Sequence, residues 1–79
     1  MRLERIWDYP ALATFYKLRM EEAAAVDRAT LAFAERGEGK LGRQGPHWVL
    51  RAGSHIAVLA IDREAGTVTI LSIHRAYRW

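Results

Sequence analysis

Apolar and charged residues mix from Leu3 to Trp7 in the manner of a half-buried strand. The period then lengthens. Asp8 can cap a helix and Pro10 suits its first turn, where a missing N–H has no intrahelical partner to lose. Leu12, Phe15, Tyr16 and Arg19 follow at three- and four-residue steps and predict one apolar stripe. A second helix is predicted from Glu21 or Glu22 to Arg36, with acidic residues at its positive end, Gly37 to stop it, and Val26, Ala29, Thr30 and Phe33 facing inward beside Leu31. The break between the helices is placed at Arg19-Met20-Glu21, with one continuous or bent helix as the alternative.

Residues 37–46 hold four glycines and a proline and predict a loop. After it, His47–Arg51 and His55–Asp62 read as strands joined by a turn at Ala52-Gly53-Ser54. Arg63-Glu64-Ala65-Gly66 reads as a hairpin loop and Thr67–Ile73 as the last strand. The order is strand, helix, helix, then a three-stranded antiparallel meander. This is an α+β arrangement in one domain spanning residues 1–79, with two helices over one sheet face and the other face left to solvent or a ligand.

Composition narrows the classes that remain. A chain of 79 residues buries a modest core, and domains of this size rarely gain more than about 3–5 kcal/mol from it, so a stabilising partner is in keeping with its length. At 51% hydrophobic and 27% charged residues the chain is globular in character rather than disordered. The absence of cysteine excludes disulfides, thiolate nucleophiles and cysteine-ligated zinc, and is compatible with a cytoplasmic protein. No window is apolar enough for a membrane span or a signal core, which predicts no membrane partner.

Charge is unevenly placed. Residues 1–39 carry six Lys/Arg against seven Asp/Glu, and residues 40–79 carry six against two, so the halves stand at −1 and +4. His47, His55 and His74 all lie in the second half, which ends in Arg75-Ala76-Tyr77-Arg78-Trp79. The basic, aromatic half is the one suited to a polyanion. Three histidines also raise a metal site, but no ligand spacing supports one.

The segments "LRAGSHIAVLAID" at 50–62 and "GTVTILSIHR" at 66–75, preceded by two helices and a glycine-rich stretch, resemble the RelE/ParE superfamily of toxins from bacterial toxin–antitoxin pairs. The resemblance implies a small cytoplasmic toxin, held inactive by a cognate antitoxin. In the RelE branch such a protein enters the ribosome and cleaves mRNA as a metal-independent endoribonuclease, without a cofactor; in the ParE branch it poisons DNA gyrase. A shared fold does not choose between the branches.

By the same resemblance, Arg75 occupies the position of the phosphate-binding arginine after the last strand, a role that suits its fork of donors. His47 stands where RNA-cleaving members carry a basic residue, and imidazole as a class titrates near neutrality. Tyr77 and Trp79 fall near a base-stacking aromatic, His74 belongs to a His-Arg pair, and Lys40 and Arg43 extend the cationic set from the loop. Arg51 matches an arginine with a structural part. Two departures shrink that set: Ser54-His55-Ile56 replaces Asp-Tyr-Arg, and Val49 replaces a second basic residue. A catalytically reduced member that serves as an antitoxin-binding module is therefore the companion reading. Plainer roles stay open beside these: Trp7 and Trp48 as core, His55 as a structural residue, Lys40 and Arg43 as solubilising charges, and Trp79 as a frayed end.

Overall fold

The computed structural model describes residues 2–76. The N-terminal strand β1 (Glu4–Trp7) leads into α1 (Tyr9–Phe15) and α2 (Met20–Arg36). Four strands follow, β2 (Leu41–Gln44), β3 (His47–Ala52), β4 (His55–Asp62) and β5 (Thr67–Arg75). They form one sheet in the order β1-β5-β4-β3-β2, in which β1 runs parallel to β5 and every other pair is antiparallel. The α+β class, and the succession of strand, two helices and an antiparallel run of strands, are as the pattern predicts.

Local chemistry accounts for the boundaries. Asp8 caps α1 by accepting a hydrogen bond from the Tyr9 N–H at 2.9 Å, and Pro10 sits in the first turn. Glu22 accepts from the Arg19 N–H at 3.1 Å and so anchors the start of α2, whose first turn also carries Glu21. Gly37 ends α2 at φ +69°, a left-handed conformation that glycine adopts without strain, and its N–H donates to the Phe33 carbonyl.

Three expectations need correction. The segment expected to be all loop contains β2, so the antiparallel run has four strands and not three. Its weak β-formers are held in the ladder by pairing with β3, Leu41 opposite Leu50 and Gln44 opposite His47. Gly45 (φ +59°) and Pro46 make the two-residue connection, with the sign pattern of a type II′ turn. The helix break falls before Met20, after Phe15, because Arg19 takes an extended conformation. With α1 ended there, Tyr16 and Arg19 leave the expected stripe and lie in solvent; Tyr16 is 76% exposed. The last strand also runs two residues past Ile73, to Arg75.

Both helices lie on one face of the sheet. Leu3, Val26, Ala34, Leu50, Leu59, Val68, Ile70 and Ile73 make the core between them, with Trp7, Phe15, Phe33 and Trp48 packed against it. Trp7 and Phe15 are in tilted ring contact at 4.8 Å, which fastens α1 to β1. Arg5 fastens β1 to α2: its Nη1 donates to Asp27 Oδ1 at 2.8 Å, to the Asp27 carbonyl at 3.1 Å and to Thr30 Oγ1 at 3.1 Å. The Arg5 side chain is 21% exposed and that of Asp27 48%, so the contact is partly shielded from solvent. Arg5→Met is expected to keep much of the packing of the stem while leaving those acceptors without their donor, lowering unfolding free energy by about 1–3 kcal/mol in urea titrations.

Candidate functional site

Strand alternation sorts side chains between the covered and the open face of the sheet. On β3, Trp48, Leu50 and Ala52 face the helices, so His47, Val49 and Arg51 face out. On β4, His55, Ala57 and Leu59 are buried, and Ile56 and Val58 face out. On β2, Leu41 and Arg43 share the helix side, leaving Gly42 and Gln44 on the open face.

Alternation on β5 is interrupted. Val58 pairs with Ser72 and Leu59 pairs with Ile70, so Leu71 is one residue too many and forms a β-bulge. Val68 and Ile70 are buried before it and Ile73 after it. Beyond the bulge, therefore, Ser72 and His74 point to the open face and Arg75 points to the helix side.

Three cross-strand pairs thereby build a shallow cavity of about 530 Å³ on the open face: Gln44 with His47, Val58 with Ser72, and Ile56 with His74. Ile56 and Val58 floor it, and the two imidazoles stand toward its ends. Two strand spacings and four residues of offset separate His47 and His74 by about 16 Å at Cα. No carboxylate lines the cavity, so nothing in its wall repels a phosphate. Ser72 Oγ lies 2.8 Å from His74 Nε2. Among the described residues there is no cluster of three histidines, cysteines or carboxylates that could hold a metal ion.

The structure thus brings His47 and His74 into one cavity and leaves other expected site residues elsewhere. Arg75, the expected phosphate-binding residue, does not line this cavity. Arg75 pairs in register with buried His55 and extends toward α2, where its Nη1 lies 3.8 Å from Glu22 Oε2. The physical reason is the Leu71 bulge, which inverts the alternation that an uninterrupted strand would have carried to Arg75. Arg43 is likewise turned to the helix side, its guanidinium 4.6 Å over the Trp48 ring and its Nε donating to the Gly45 carbonyl at 3.2 Å. Lys40 precedes β2, and its carbonyl accepts from the Arg51 N–H at 3.0 Å. Arg51 Nε donates to the Gly53 carbonyl at 2.6 Å, bracing the β3–β4 turn from the open face. His55 is buried, with Nδ1 3.1 Å from Ser54 Oγ. Tyr77 and Trp79 lie outside the described residues.

Gln44 and Ser72 line the cavity and were missed in the sequence. Ser72 was discoverable, because a residue two before His74 on a strand shares its face. Gln44 was not, since it lay in the segment taken for a loop.

No helix among the described residues is long and apolar enough to cross a membrane. No protein-family model matches the sequence, and no curated protein matches it either. Solved structures do match. A chain of the RelBE2 toxin–antitoxin complex from Mycobacterium tuberculosis superimposes with a TM-score of 0.78 at 23% identity, over 96% of this chain and 93% of that one. A chain of the intact RelBE toxin–antitoxin complex from E. coli superimposes with a TM-score of 0.74 at 20% identity, over 96% of this chain and 99% of that one. Identities this low speak to architecture alone, and by that measure the chain has the RelE fold over nearly its whole length.

Proposed function

We propose that this chain is the toxin of a toxin–antitoxin pair and inhibits translation by cleaving mRNA on the ribosome. The observation that carries the reading is the open-face cavity, two imidazoles around an apolar floor with no carboxylate, set in a RelE fold. Cleavage at an RNA phosphodiester needs a base for the 2′-hydroxyl and an acid for the leaving 5′-oxygen, and imidazole as a class serves in either role. Gln44 and Ser72 add neutral polar contacts, and the Ile56–Val58 floor offers an apolar surface for a base. The antitoxin partner follows from the two complexes that share the fold, and the cytoplasm is where mRNA and ribosomes are met.

A second reading is favoured by one observation. Ile56 lies on the cavity floor at the position where the resemblance calls for an arginine, and Arg75 is on the other side of the sheet. A face so short of fixed cations also fits a ParE-like gyrase poison or a module whose work is to bind its antitoxin.

Controlled expression of the chain alone separates the readings. The expected result is growth arrest, relieved by co-expressing a neighbouring antitoxin gene, with message ends mapped by primer extension falling in phase with codons. Intact messages together with a DNA-damage response would instead identify the gyrase poison. Unimpaired growth would remove the toxin reading.

A further inference from the structure

The two histidines of the cavity are not equivalent. His74 Nε2 is engaged by Ser72 Oγ at 2.8 Å, whereas His47 has no side-chain hydrogen bond among the described residues. The backbone at Ser72 is held by strand pairing, because it is the first residue after the bulge and sits directly opposite Val58. An exposed histidine on a strand samples several rotamers, and a neighbour two residues away on the same face removes most of that freedom.

We propose that Ser72 is a positioning residue for His74, accepting the Nε2–H so that the lone pair of the neutral ring is carried by Nδ1. The proposal rests on the nuclease reading above. A serine hydroxyl both donates and accepts, so the 2.8 Å contact survives a change in the charge of the ring: Ser72 accepts from the Nε2–H of a charged ring, and the proposal assigns it the same accepting role on the neutral one.

Other titratable and charged groups share this face with His74. Within the described strands they are His47 and Arg51 on β3, and Glu4 on β1 and Asp62 on β4 toward the opposite end of the sheet. The part of β4 directly beside His74 contributes only Ile56 and Val58.

Long-range proton–nitrogen NMR of the free, full-length protein tests the geometry without any substrate. Neutral His74 is expected as the Nε2–H tautomer in the wild type and in Ser72→Thr, and as a mixture in Ser72→Ala. In ribosome-dependent cleavage, Ser72→Ala is expected to lower kcat about tenfold with KM unchanged, with Ser72→Thr restoring it. An Nδ1–H tautomer in the wild type, or an unchanged tautomer in Ser72→Ala, would overturn the proposal. If the wild type cleaves nothing, the nuclease reading falls, and the tautomer measurement alone decides whether Ser72 holds His74.

Discussion

His47→Gln is expected to slow mRNA cleavage about 100-fold, the lower range of what a positioned acid or base contributes. Glutamine keeps a polar side chain of similar reach but does not change protonation near neutrality, so the loss isolates proton transfer from shape. The side chain is half-buried at the cavity wall, opposite Gln44, and carries no core contact whose removal would unfold the chain. Circular dichroism and melting temperature should match the wild type while growth arrest on expression weakens. Arg75→Ala is expected to cost far less, because its guanidinium extends toward Glu22 on the far side of the sheet. The reverse ranking, with Arg75→Ala inactive and His47→Gln nearly normal, would move the active site to the helix side near the start of α2.

Leu50→Ala is expected to lower stability by about 3 kcal/mol, within the range for deleting a fully buried leucine. Leu50 has no exposed surface and lies between Leu41 on β2 and Ala57 on β4, beneath the helices. Collapse of its surroundings into the void is hindered on one side by Gly39. That glycine holds φ +131°, and a Cβ built there would stand 2.7 Å from Leu50 Cδ1, so backbone already occupies the nearest space. In a domain whose net stability is typically a few kcal/mol, such a loss leaves much of the population unfolded at 37 °C. Urea unfolding followed by tryptophan fluorescence measures it through Trp48 on the same strand. A loss below about 1 kcal/mol would mean that the glycine segment does move in to fill the space.

Signals that act within a few residues were legible in the sequence. Asp8 and Pro10 mark the start of α1, Gly37 stops α2, and Gly66 at φ +71° closes the last hairpin. The meander strands were readable too, since branched side chains alternate over long stretches of β4 and β5. What was hidden depends on partners distant in the chain. The stretch Leu-Gly-Arg-Gln becomes a strand only because β3 offers it a ladder. Tyr16 continued the α1 pattern on paper, yet it lies beyond the last helical residue. In the candidate site, both cavity histidines stood out by residue type. Their grouping with Gln44 and Ser72, and without Arg75, followed from strand pairing that no local pattern records.

The extra residue at Leu71 gives the chemistry of the open face an unusual dependence on grease. Had β5 run uninterrupted from Thr67, the same letters would present a guanidinium to the cavity and hide an imidazole, at the expense of leaving Ile73 in water. Ile73 is 4% exposed, so burial of this one aliphatic side chain selects which of two neighbouring side chains, His74 or Arg75, faces the cavity. A polar substitution at Ile73 thus bears on more than packing: it weakens the grip that keeps His74 outward, and with it the identity of the group that faces the cavity.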